Sequence, residues 1–211
     1  MNQDQQILPT KELRSKLRAM RRSLSPSQQK AASTRLRKHI NTSGLLLRAK
    51  HIALYISHDG EIDPQQLVPE LRSRKKHCYL PVLHPLKPNQ LAFCRINAST
   101  QFKKNRFGIP EPVFKHSIKL APERLSLVLL PLVAFDQEGN RMGMGGGYYD
   151  RTFAFKRRDK QYHKQASPRL IGLAHELQKQ PKLASQSWDI PLSSVITDGG
   201  IYLEGMKQSG K

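Results

Sequence analysis

The stretch Leu127–Arg151, LVLLPLVAFDQEGNRMGMGGGYYDR, passes from an apolar run into a cluster of glycines and then into two tyrosines, an aspartate and an arginine. The apolar part, taken from Leu125 to Phe135, reads as a fully buried central strand, because a strand covered on both faces loses the polar alternation of a half-exposed one. Gly139–Gly147 then reads as a loop, and Tyr148–Arg158 as a helix behind it. At such a junction backbone N–H groups close around an anion, helped by the partial positive charge of a helix start. Two well-known versions are excluded by the residues. No Gly-Lys-Ser/Thr follows, so this is not a Walker A loop, and the third glycine of a GxGxxG fingerprint falls on Tyr148. That mismatch, with no clear acidic ribose partner about twenty residues on, argues against an NAD-dependent oxidoreductase. From the residues alone an anion-binding loop and a structural glycine turn both stay open. Tyr148 and Tyr149 are equally readable as core aromatics.

Outward from this stretch, strands and helices alternate. Before it, Lys11–Leu24 places Leu13, Leu17, Met20 and Leu24 at helical intervals among basic residues. Ser25-Pro26-Ser27-Gln28 is a capping box opening a second helix to about Ile40. His51–Ser57 reads as a strand, Asp59-Gly60 as a turn, Pro64–Arg74 as helical, and His77–Val82 and Gln90–Ile96 as two further strands. After the loop, Pro168–Ala174 and Ser193–Thr197 are late strands, separated by a helical Glu176–Gln180 and a loop around Trp188. The expected fold is therefore α/β, a single domain with a mostly parallel central sheet flanked by helices. Its expected limits are residues 11–204, with flexible ends at 1–10 and 205–211.

The 211 residues suit one such domain, and 36 Lys+Arg against 16 Asp+Glu give a formal charge of +20, which expects a polyanionic partner. Mean hydropathy is low at −0.59, yet the aliphatic residues cluster in runs, unlike those of a disordered chain. No run approaches the ~20 apolar residues of a membrane span, and the polar start lacks the pattern of a secretory signal, so a cytoplasmic location is expected. Cys78 and Cys94 lack CxxC spacing and read as buried small hydrophobes.

Several segments in order are closely similar to the 5-formyltetrahydrofolate cyclo-ligase (methenyltetrahydrofolate synthetase) family: KELRSKLRAMRRSLS, LYISHDGEID, FGIPEP, AFDQEGNRMGMGGGYYDR and SWDIPLSSVIT. The resemblance implies ATP- and Mg²⁺-dependent closure of 5-formyltetrahydrofolate to 5,10-methenyltetrahydrofolate, with release of ADP and phosphate. By matching position it implies ATP contacts from Lys11 and Arg14, with Arg18 a weaker candidate, and from the loop Arg141, Met142, Gly143, Met144, Gly145, Gly146, Gly147, Tyr148 and Tyr149. It implies folate contacts from Ile56, Glu61 and Met144–Tyr148, catalytic roles for Glu61, Arg141 and Tyr148, and magnesium ligands in Asp150 and Asp189. Such residue types suit the chemistry. Phosphorylating an N-formyl oxygen turns the formyl carbon into an electrophile for the neighbouring nitrogen, and phosphoryl transfer is catalysed by positioning and charge neutralisation. Where some members carry basic side chains in the glycine run, this chain has Met144 and Gly146, so phosphate charge falls to Lys11, Arg14, Arg141, Arg151, backbone amides and Mg²⁺.

Asp63 reads equally as the N-cap of the following helix or as a catalytic group and is left out of the site, and Phe93 reads as a core residue with folate stacking as its alternative. Basic runs at Arg72–Lys76, Lys103–Arg106 and Lys156–Lys160 exceed what one ATP requires. They motivate the alternative of a nucleic-acid-binding protein without catalysis, against which stand the absence of any helix-turn-helix, RRM, KH or zinc-finger pattern and of aromatics interleaved with the basic runs. No specific nucleic acid, no membrane and a monomeric state are expected.

Overall fold

A computed structural model describes residues 10–157 and 168–203. Of the ends expected to be flexible, 1–10 and 205–211, all but Thr10 lie outside them, as does Arg158 at the end of the helix predicted from Tyr148, and Thr10 opens the first helix. Helix α1 (Thr10–Arg22) is followed by α2 (Pro26–Thr42), whose Ser25 cap and Gln28 side chain form the reciprocal capping box read from the sequence. Strand β1 (His51–Ala53) leads through a 3-10 turn to α3 (Val68–Ser73) and then to β2 (His77–Leu83) and β3 (Leu91–Arg95). A hairpin of β4 (Phe102–Lys104) and β5 (Pro110–Pro112) precedes β6 (Lys119–Leu120) and the central β7 (Leu127–Pro131). Then come β8 (Ala134–Phe135), β9 (Arg141–Met142), α4 (Tyr148–Thr152), β10 (Arg169–Ala174), β11 (Ser194–Thr197) and β12 (Ile201–Leu203).

Eight strands form one sheet in the order β12-β11-β10-β7-β1-β2-β3-β6. Its centre, from β11 to β2, is parallel, and the outer pairings β11–β12, β2–β3 and β3–β6 are antiparallel. The expected α/β architecture is thus observed. One face of the sheet packs Leu36 and Ile40 of α2 and Leu71 of α3 against Ile52, Leu129 and Ile171, and the other packs Phe93, Val128 and Leu130 with Phe153. Phe93 is a core residue, 1 % exposed and against the Phe153 ring at 5.9 Å, so its folate-stacking alternative fails. Both cysteines are free and buried.

Several expected elements are shorter than the sequence suggested: the His51–Ser57 strand is a strand only over His51–Ala53, and the helical Glu176–Gln180 is a 3-10 turn over Glu176–Gln178. The Leu125–Phe135 strand leaves the sheet at Pro131, which has no N–H for a ladder. Beyond it the carbonyls of Leu132 and Val133 accept side-chain donors from Gln178, and Leu132 also from Arg21, while Ala134–Phe135 pair with Arg141–Met142. The Tyr148–Arg158 helix is α-helical only to Thr152, then 3-10 over Ala154–Arg157. Thr152 Oγ1 turns back to the Tyr148 carbonyl at 2.7 Å and accepts the Leu91 N–H at 2.8 Å, and Phe153 dives fully into the core, so side-chain bonding and burial override a sequence of weak helix formers.

Candidate active site

The carboxyl ends of the parallel strands, where open α/β sheets bind ligands, face a cavity of about 750 Å³. Tyr55 and Ile56 follow β1, Pro81 and Leu83 end β2, Leu91 begins β3, and Pro131 and Leu132 close β7 along its wall. The glycine loop forms another wall. Arg14, Ile56, Glu61, Arg141, Met142, Gly143–Gly147, Tyr148, Tyr149, Asp150 and Asp189 all line this one space, so residues 14 to 189 of the expected site converge. Lys11 is absent from the lining and is exposed on α1, one turn before Arg14.

Helix α1 reaches the loop through Arg14, whose Nε donates to the Gly143 carbonyl at 3.0 Å. Its amphipathic character explains the contact, because Leu17 is buried while the basic residues flank that stripe. Deeper along the helix, Arg21 is fully buried. Its guanidinium donates to the Asp59 carbonyl at 2.7 Å, to Asp59 Oδ2 at 2.8 Å and to the Leu132 carbonyl at 3.2 Å, and lies 3.8 Å from Glu61 Oε1. Arg18 and Arg22 also pair with Asp59, at 2.7 and 3.0 Å. Burial pushes the Asp59 carboxyl up, but hydrogen bonds from three arginines override it and hold the group well below the usual carboxylate range. Arg18, the weaker ATP candidate beside Lys11 and Arg14, thus pairs with Asp59, and the run of Arg18, Arg21 and Arg22 ahead of Asp59-Gly60 is the only sequence signal of this strap.

Glu61 follows that turn. Gly60 adopts φ +76°, and a Cβ there would sit 2.8 Å from the Arg21 carbonyl, so only glycine lets α1 approach the turn this closely. Glu61 Oε2 accepts the His58 N–H at 3.1 Å, while Oε1 faces Arg21. Burial raises its pKa to about 7, against the opposing pull of Arg21, which places a carboxyl able to exchange a proton near neutral pH on the cavity wall. Asp63 Oδ1 accepts the Gln65 N–H at 2.9 Å just ahead of the 3-10 turn, whose N-cap is Pro64, and α3 is capped at Leu67, so Asp63 is not a helix N-cap.

In the glycine loop, Gly147 at φ +64° starts α4 and Arg151 Nη1 donates to the Gly146 carbonyl at 2.8 Å. The brevity of α4 leaves little helix dipole, so the loop's anion-binding capacity rests on its own N–H groups and on the surrounding cations. Arg106 donates to the Tyr148 hydroxyl and the Phe107 ring meets the Tyr148 ring edge-on at 6.1 Å, which fixes Tyr148 at the mouth. Burial raises the Tyr149 hydroxyl pKa, and the nearby Glu61 charge adds to the rise. The β4–β5 hairpin that brings in Asn105, Phe107 and Ile109 was not foreseen as strands; Glu111 anchors it by accepting the Leu83 N–H at 3.1 Å and Asn105 Nδ2 at 3.3 Å.

Asp150 Oδ1 is bound by Arg141 Nη2 and by the Ile190 N–H at 3.1 Å, and Asp189 Oδ2 accepts the Gln186 N–H at 2.8 Å. Asp150 Oδ2 and Asp189 Oδ1 have no donor among the described residues. Both aspartates line the one cavity, and carboxylates of this kind fit a hard divalent ion that completes its shell with water and phosphate oxygens. No cluster of three or more His, Cys, Asp or Glu suited to a metal occurs among the described residues.

The model of the 5-formyltetrahydrofolate cyclo-ligase family matches residues 8–198. The chain belongs to this family. Among its relatives, the 5-formyltetrahydrofolate cyclo-ligase of Haemophilus influenzae is 38 % identical over 185 residues, covering 88 % of this chain and 95 % of that one. The enzyme of the same name from Escherichia coli K12 is 37 % identical over 186 residues, covering 88 % and 98 %. The solution structure of Aquifex aeolicus 5,10-methenyltetrahydrofolate synthetase superposes with a TM-score of 0.77 at 28 % identity, covering 97 % of each chain. Membership favours the enzyme reading over the nucleic-acid alternative. No helix among the described residues is long and apolar enough to cross a membrane.

Proposed function

We propose that this cyclo-ligase family member converts 5-formyltetrahydrofolate to 5,10-methenyltetrahydrofolate with ATP and Mg²⁺, releasing ADP and phosphate through a phosphorylated formyl oxygen. The observation that carries the reading is the meeting of the glycine loop, Glu61 and the Asp150/Asp189 pair around one cavity. Family membership supports the same conversion.

In this reading Arg14 and the N–H groups of Gly143–Gly147 hold the triphosphate, with Lys11 reaching in from the rim. Arg141, neutralised by Asp150 without ligand, turns toward phosphate when the nucleotide enters. Asp150 and Asp189 would hold Mg²⁺, which supplies charge neutralisation for phosphoryl transfer. Ile56 and Tyr148 bracket the pterin, and Glu61 accepts hydrogen bonds from its N–H donors. Attack of the formyl oxygen on the γ-phosphorus releases ADP. The neighbouring folate nitrogen then attacks the activated carbon, and loss of phosphate and of the nitrogen's proton completes the ring. Glu61, with its raised pKa, is the group placed to take that proton. Mixing the protein with 5-formyltetrahydrofolate, ATP and Mg²⁺ and following the near-ultraviolet absorbance of the conjugated product tests the proposal. Absorbance should rise only when all three are present; no rise would overturn it.

A further inference from the structure

One group of the surplus cations gathers at the opposite end of the sheet. His51 begins β1, His77 begins β2 and Arg95 ends the antiparallel β3, so all three lie at the edge remote from the catalytic cavity. Six residue steps along β2 separate His77 from Leu83 on the cavity wall, roughly 20 Å at strand spacing. At this remote end a second concavity of about 410 Å³ is lined by Arg72, Lys75, Lys76, His77 and Arg95, with Asn97 on its rim. The cations come from two segments, the exit of α3 and the end of β3, and line one space, the Lys76 ammonium donating to the Leu47 carbonyl at 3.1 Å.

Among the described residues no carboxylate pairs with them. Among the described residues, Arg72, Lys75, Lys76 and Arg95 form no ion pair, nor do Lys50 and Arg124 nearby; Glu70 on α3 is taken by Arg74 and Asn41, and Glu123 is exposed and unpaired. The positive field registers on the histidines. Burial and then the charges of Arg95 and Lys50 lower the pKa of His77, and burial with His77, Lys50, Arg124 and Arg95 lowers that of His51. Arg95 Nη2 donates to His77 Nδ1 at 2.7 Å, which leaves the ring proton on Nε2 as a further donor, and His51, 5.2 Å from His77 between ring centres, is itself fixed by Tyr79 Oη at 2.9 Å. Lys75 is held in left-handed backbone at φ +55°, a conformation uncommon for lysine, at the point where the chain turns into the concavity.

We infer that this concavity is a second anion site that takes a small polyphosphate of diphosphate or triphosphate size. Arginine forks and a neutral imidazole N–H match phosphate oxygens. The volume lies within the range of small-ligand sites. No exposed aromatic lines it, so a nucleic acid would find no surface on which to stack its bases.

The test uses the full chain and sodium tripolyphosphate without Mg²⁺, reading the imidazole Cε1–H resonances of His51 and His77 by NMR, assigned through His51→Gln and His77→Gln. The His77 resonance should move saturably in the wild type and equally in Arg14→Ala, whose change lies in the catalytic cavity. Arg72→Ala/Arg95→Ala should weaken that saturation at least tenfold while cyclisation of 5-formyltetrahydrofolate is unchanged. Lys75→Gly, which suits the left-handed backbone, should weaken it about threefold and serves if the double variant does not fold. A His77 resonance unmoved at millimolar tripolyphosphate overturns the assignment. So does loss of the movement in Arg14→Ala, or movement with a twelve-nucleotide RNA and none with tripolyphosphate.

Discussion

Replacing Glu61 with glutamine keeps the shape of the side chain and removes its charge at a wall position where charge is costly. Its pKa of about 7 in the folded protein, against an ordinary 4.5, corresponds to about 3 kcal/mol favouring the protonated form. The folded protein therefore binds a proton that the unfolded chain has already lost. That contribution is fully present below pH 4.5, declines as pH rises, and is gone above about 7. Glu61→Gln has no such dependence. Relative to wild type it should lose about 1 kcal/mol at pH 4.5, where one of two acceptor contacts to His58 and Arg21 is weakened, and should be more stable by about 2 kcal/mol at pH 8. Urea unfolding at the two pH values measures the difference, and turnover at pH 7 should fall with ATP affinity unchanged. A stability difference that stays within about 0.5 kcal/mol across that pH range would refute the buried-carboxyl argument.

Arg21→Met conserves volume but strips Asp59 and the Leu132 carbonyl of a buried donor, and should cost about 3 kcal/mol in urea unfolding. Because the arginines hold Asp59 below its usual range, its stabilisation is present at neutral pH and is lost as pH falls below the ordinary carboxylate pKa; Asp59→Asn should flatten that acid limb of a stability–pH curve. Arg14→Ala should raise the KM for ATP about tenfold, by the ~1.4 kcal/mol of one charged hydrogen bond, leaving the KM for folate near wild type. Asp150→Asn should raise the Mg²⁺ concentration required for half-maximal turnover, measured by metal titration at saturating ATP. Gly60→Ala meets both a positive φ and the Arg21 carbonyl at 2.8 Å, and should lower stability by at least about 1 kcal/mol.

The alternating pattern made the parallel centre of the sheet legible, since β1, β2, β7, β10 and β11 are short apolar runs between turn residues. The antiparallel edges were harder to read. Pro110 and Pro112 disguise β5, because proline is tolerated only where a strand lacks a ladder partner on that side, and Ile201–Leu203 is too short to declare itself. At the site, the glycine run and Glu61 could be placed because turn chemistry and resemblance agreed. Arg21 could not, since on a basic helix nothing local distinguishes the one arginine that is buried from those in solvent; only the distant Leu132 carbonyl and Asp59 make the difference.

That dependence on distance has a consequence for biosynthesis. Arg21 meets the carbonyl of Leu132, Arg14 that of Gly143, and Arg141 that of Ile190, so each wall of the cavity is joined to a segment translated much later. An emerging chain holds α1 and its arginines long before their partners leave the ribosome, and closing such long loops is slow. During that interval a cationic, half-apolar helix waits without its acceptors, and the cavity is complete only once the chain has been made past Ile190.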